Sequence, residues 1–182
     1  MLSIPAAKNP WEDLTGGNCD NGQENLNSSV FYLAGSGGGK VERKCTIPAG
    51  KGLFIPVSPM EMSTKEAGEG TSPENLKLAA KKDQDGVTTL FLKIGGKEYN
   101  FDDLRSYRTS TDIFKVNFAD NGLFGVEEGG PAEVAADGYY VITEPLQKGN
   151  YSVQYTSSLS CLDPGCTEPT FSQDVGYALA VE

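Results

Sequence analysis

From residue 28 onward, apolar and polar positions alternate in short runs, with turn residues breaking them about every ten residues. Residues 28–34 carry Val30, Phe31, Tyr32 and Leu33 and stop at Gly35-Ser36-Gly37-Gly38-Gly39. Val41, Arg43, Cys45 and Ile47 then fall at spacing two, which predicts a strand and makes the glycine cluster a hairpin loop. That cluster lacks the Gly-Lys-Ser/Thr ending of a phosphate cradle, and no helix pattern follows it. Residues 52–57 predict another strand, with Pro56 placing it near an edge or an end. The polar stretch 58–71 reads as surface loop. One helix follows: Thr71 or Ser72 caps it, Pro73 and Glu74 suit its first turn, and Leu76, Ala79 and Ala80 form a small apolar face. Lys81-Lys82 carry the right sign for its end.

Residues 87–94 and 97–101 flank Gly95-Gly96, the clearest hairpin signal in the chain. Further strands are predicted over 113–118, 123–126, 139–143, 151–155 and 171–181. In the last, Phe171, Val175, Tyr177, Leu179 and Val181 share one face. About nine strands and one short helix predict an all-β chain, a single β-sandwich of Ig-like or jelly-roll kind over residues 1–182. Residues 1–18 are read as its N-terminal arm.

Composition narrows the chemistry. Fifteen Lys and Arg against 25 Asp and Glu give a net charge of −10, and histidine is absent. No Ser-His-Asp or Cys-His nucleophile pair, imidazole base or His-ligated zinc is possible. The acidic balance leaves no basic footprint for nucleic acid. No run approaches a membrane span. The N-terminus lacks a charged segment leading into a long apolar stretch, so an exported form would be mature or trimmed.

Four cysteines stand as two pairs, Cys19 with Cys45 and Cys161 with Cys166, in no metal-binding pattern. Pro164-Gly165 folds the second pair toward itself. Closing the first pair would tie an N-terminal loop to the sheet and is worth roughly 3–4 kcal/mol on the chain-entropy model. Four buried thiols in a reducing compartment are the alternative. The even count and the high Gly, Asn, Ser and Thr content favour an oxidising, extracellular one. The sequons at Asn27 and Asn150 are glycosylation candidates in such a setting.

The stretch Cys19…Val30-Phe31-Tyr32-Leu33-Ala34-Gly35…Arg43-Lys44-Cys45-Thr46-Ile47-Pro48-Ala49-Gly50-Lys51-Gly52-Leu53-Phe54-Ile55-Pro56 resembles a family of secreted bacterial and archaeal proteins with no known activity. Asp137-Gly138-Tyr139-Tyr140…Pro145-Leu146…Gly149…Tyr151-Ser152-Val153 resembles its later part. The resemblance implies export and a Cys19–Cys45 bridge; Cys161 and Cys166 lie outside its pattern.

Charge is uneven, with thirteen acidic and four basic residues after position 100. An acidic half of an extracellular domain invites calcium, and the candidate ligands are Asp102, Asp103, Asp120, Glu127 and Glu128. Asp83-Gln84-Asp85-Gly86 resembles an EF-hand opening without its later Glu, and each cluster also reads as an Asx turn. Two carboxylates across a cleft would permit glycoside hydrolysis, but the sequence selects no pair. Tyrosines at strand spacing serve a pleated surface or a glycan platform. The expected function is therefore non-catalytic: a secreted or cell-surface structural protein assembling with copies of itself into filaments or tubes. Leu2 and Ile4, at spacing two, would form a donor strand, and Trp11 would fix the exit of the arm. The alternatives are a calcium-assisted module for surface glycans and a carboxylate glycosidase.

Overall fold

A computed structural model describes residues 1–23, 28–68, 70–160 and 169–182, which form two sheets. In the first, β1 (Val30–Tyr32) neighbours β3 (Gly52–Ser63), which pairs with β8 (Gly130–Ile142). Both β6 (Arg108–Ser110) and β7 (Phe114–Phe118) also pair with β8. The second sheet runs β2 (Gly39–Ile47), β10 (Pro169–Val181), β9 (Gly149–Ser160), β4 (Val87–Ile94) and β5 (Lys97–Tyr99). Leu53, Ile55 and Val57 from the first sheet meet Leu92, Val153, Tyr155, Val175 and Leu179 from the second in one core. This is an all-β sandwich. Alternation explains it directly: in β2 the buried positions are Val41, Arg43, Cys45 and Ile47, and in β10 Gln173, Val175, Tyr177, Leu179 and Val181.

Local details depart from the sequence pattern. Gly35 to Gly39 do not close a hairpin, because β1 pairs parallel to β3 while β2 pairs parallel to β10. The segment instead carries the chain from one sheet to the other, with Gly38 and Gly39 at φ 119° and 71°. The expected loop over 58–71 begins as strand and continues as helix. A bulge between Pro56 and Ser58 lets β3 continue to Ser63 along β8, and α1 (Thr64–Ala67) follows. Residues 123–126, expected as a strand, contain a 3-10 turn, Leu123–Gly125. The hairpin at Gly95-Gly96 forms as expected, both glycines having positive φ. Helix α2 (Pro73–Asp85) is capped by Ser72, which accepts from the Asn75 N–H, and buries Leu76, Ala80 and Gln84. Gln84 bonds Ser58 of β3, so the helix packs on the inner face of the first sheet beyond the reach of the second. A third helix, α3 (Phe101–Leu104), follows β5.

The N-terminal segment folds onto its own chain. Leu2 joins a satellite core of Phe118, Val126, Ala132 and Val134, and Ile4 is buried. The Leu2 carbonyl accepts from Ala119, and the Asn121 carbonyl accepts from Ala6. Asn9, wholly buried, donates to the carbonyls of Met1 and Ile4. Further on, the guanidinium of Arg43, 1% exposed, donates to the carbonyls of Asp13 (2.6 Å), Ala34 (2.8 Å), Trp11 (3.2 Å) and Gly35 (3.0 Å) and to the Tyr177 hydroxyl (2.7 Å). Thr15 O then accepts from the Lys44 N–H on the outer edge of β2, and the Cys19–Cys45 disulfide closes the segment. Gln23 finishes the arrangement: its amide both accepts from and donates to the backbone of Tyr32 at the edge of β1. Two sheet edges are thus covered from within.

Candidate functional site

The outer face of the first sheet is read from register. Tyr32 lies opposite Phe54, Phe54 opposite Ile142, and Pro56 opposite Tyr140. The rings of Tyr32 and Phe54 are 5.4 Å apart at 48°, and those of Phe54 and Tyr140 are 5.4 Å apart at 31°. A row of three rings therefore crosses three strands, with Tyr32 37% and Ile142 61% exposed beside it. The phenol of Tyr140 folds back over Gly138, where an added Cβ would meet its oxygen at 2.8 Å. Burial, then the charges of Asp137 and Glu61, push that phenol up to about 12. Chemically this face offers ring surfaces and apolar edges rather than a nucleophile.

Further along the same face, Glu61 of β3 lies opposite Ala136. Neither of its carboxyl oxygens reaches solvent, and the polar group that faces them is another carboxyl, that of Glu66. Burial, then the adjacent charge of Glu66, push the Glu61 carboxyl up to about 9, so it is protonated at neutral pH. Glu66 itself accepts from the Ser63 hydroxyl at 2.5 Å. A glycosidase acid must meet its substrate's oxygen. Glu61 is closed off from any such contact. It sits in a stretch whose polarity reads as loop; the odd feature available beforehand was a Glu between two methionines at strand spacing.

The predicted calcium ligands lie at two places, α3 and the loop 119–129. Asp102 and Asp103 belong to the first turn of α3, where Asp103 accepts from the Asn100 N–H and Asp102 pairs with Arg105 at 3.0 Å. Asp120 accepts from the Gly129 N–H, and the Glu127 and Glu128 carbonyls accept from Asn121 and Lys65. Among the described residues no three acidic or Cys side chains gather as a metal cluster. Asp85, at the end of α2, pairs with Lys81 of the same helix and with Arg108 of β6. Asn150 is exposed at the start of β9, whereas Asn27, Cys161 and Cys166 lie outside the described residues. The segment expected as a donor arm lies against its own chain. Leu2 and Ile4 fill pockets of their own chain, residues 6–8 form a 3-10 turn, and Trp11 packs edge-on to Phe124 at 6.1 Å.

No family model matches the chain, and no curated protein does. Among solved structures, the solution structure of Amebosin is 11% identical over 79% of this chain and 96% of its own, with a TM-score of 0.24. The cysteine protease inhibitor EhICP2 from Entamoeba histolytica is 12% identical over 76% of this chain and 86% of its own, also with a TM-score of 0.24. A likeness at that level carries no argument about this chain. No helix among the described residues is long and apolar enough to cross a membrane.

Proposed function

We propose that the chain is a non-catalytic extracellular binding module that holds sugar rings on the outer face of its first sheet. One observation carries the reading: Tyr32, Phe54 and Tyr140 line up across β1, β3 and β8 and leave Tyr32 and Ile142 open to solvent. Aromatic faces take the C–H faces of pyranose rings, and phenol hydroxyls at the rim bond sugar hydroxyls. The Cys19–Cys45 bridge supports an oxidising compartment. Screening the purified protein against immobilised glycans, with calcium and with chelator, tests it. Binding should appear, and Y32A and F54A should each weaken it about tenfold, on the order of 1.4 kcal/mol, while melting temperatures stay within a few degrees. Absence of glycan binding, or binding indifferent to both substitutions, refutes the reading. The calcium arms separate a metal-assisted mode from a metal-independent one.

A second reading, a surface structural protein built from copies of the chain, is favoured by the same exposure of Tyr32 and Ile142, which would pack face to face. Sedimentation velocity across a range of concentrations distinguishes it, because sugar binding requires no self-association.

A further inference from the structure

The carboxyl pair Glu61–Glu66 stands at one end of a continuous set of contacts. Glu66 lies on α1, whose neighbouring Lys65 donates to the carbonyls of Glu128 (3.1 Å) and Gly129 (2.8 Å). Thr64 of the same turn accepts from the Glu133 N–H of β8. Glu128 and Gly129 end the loop 119–129, which closes on itself through Asn121 N–H to Glu127 O and Gly122 N–H to Val126 O. That loop holds two non-glycine residues in the left-handed region, Asn121 at φ 49° and Phe124 at φ 58°. For a bulky residue such as Phe this conformation is disfavoured and persists only while its surroundings impose it. The surroundings are the N-terminal segment: Leu2 O accepts from Ala119, Asn121 O accepts from Ala6, and Trp11 packs on Phe124.

We propose that the Glu61–Glu66 pair is a proton-held latch: while it keeps a proton, the 119–129 loop and the N-terminal segment stay docked, and its full ionisation releases them. The proton leaves Glu61 to bulk hydroxide, and two like charges then face each other where neither oxygen of Glu61 has solvent or a donor. The groups around the pair do not offset them. Ser63 is engaged by Glu66, Lys65 is held by the two loop carbonyls, and the Tyr140 phenol on β8 is itself resistant to ionisation. Glu133 on β8 adds a further acid whose backbone is tied to α1. Outward movement of α1 relieves the repulsion and draws Lys65 from the loop.

The sign follows from linkage. A carboxyl raised in the folded state from 4.5 to about 9 contributes stability that is complete below 4.5 and is lost as pH rises through 9. Trp11, the single tryptophan, lies in the segment that would move and reports it directly. We expect the emission maximum of the intact protein to shift to the red between pH 8 and 10 (roughly around the raised value), with the far-ultraviolet strand signal unchanged. E61Q should show no such shift, and it retains every tyrosine, so phenolate quenching is controlled. E61M, volume-matched and uncharged, serves if E61Q folds poorly. Identical titrations of the intact protein and the variants overturn the proposal, as does a flat titration of the intact protein or loss of the strand signal along with the shift. Limited proteolysis at pH 7 and pH 10 locates the change: new cleavage within residues 1–12 or 119–129 at the higher pH supports the latch, and new cleavage confined to other segments overturns it.

Discussion

Arg43 shows how much a single position can decide. In the alternating run of β2 it takes an inward place between Val41 and Cys45, where a charge is normally excluded. It is accommodated because each edge of its planar fork meets a carbonyl or a phenol, and no carboxylate among the described residues pairs with it. The Tyr155 and Tyr177 hydroxyls complete the cluster by donating to the same Ala34 carbonyl at 2.5 and 2.8 Å. Lysine keeps the charge but not the fork, and leaves several acceptors without donors. R43K should therefore lose about 2–4 kcal/mol of unfolding free energy, measured by urea denaturation. A midpoint equal to that of the parent protein would refute the account. The inward position of Arg43 was legible in the period-two pattern. Its partners were not, because residues 11, 13, 34 and 35 come together only after both sheets have formed.

Among the elements, the strands were the readable part. The best-patterned stretch, 171–181, is indeed most of the long strand β10, buried on alternate positions, and the Gly95-Gly96 turn formed where expected. β3 and β8 were shortened in the reading, since a bulge after Pro56 breaks the alternation and the alanines and glycines of β8 carry little apolar signal. The aromatic row was invisible for a related reason: Tyr32, Phe54 and Tyr140 are far apart in sequence and meet only through strand order. The N-terminal segment was read as a donor arm; here it covers edges of its own sheets, and Gly16 makes this possible by passing against the backbone of Lys44 at φ 101°, where any Cβ would collide. G16A should cost about 1–3 kcal/mol and expose the β2 edge. The expected signs are a lowered melting temperature and faster hydrogen exchange at Lys44; unchanged exchange at Lys44 would show that the segment does not guard this edge.

At the scale of the whole molecule, the ties between parts differ in kind. Helix α2 is held to the first sheet through carboxylates: Arg108 bonds Asp137 at 2.8 Å and Asp85 at 2.9 Å, and Lys77 pairs with Asp112 at 2.7 Å. Lys81 and Arg108 hold the Asp85 carboxyl below its usual range, and Lys77 does the same for Asp112. Groups with depressed values contribute stability that is present above the unfolded value and lost as pH falls through the folded one. The N-terminal segment, by contrast, is tied by a disulfide and by a guanidinium that meets only carbonyl and hydroxyl oxygens. Neither of these takes up a proton in mild acid; the tie here that does is the Asp13 carboxylate, which accepts from the N–H groups of Thr15, Gly16 and Asn18. Hydrogen exchange at pH 3 should therefore find amides of α2, and those of Thr15 and Gly16, less protected than at pH 7, while Asn9 and Glu12, bonded to neutral carbonyls, keep their protection; equal losses at all of them would contradict it. The choice of carbonyls around Arg43 means that vinegar-like surroundings loosen the helix and spare the contacts of that guanidinium.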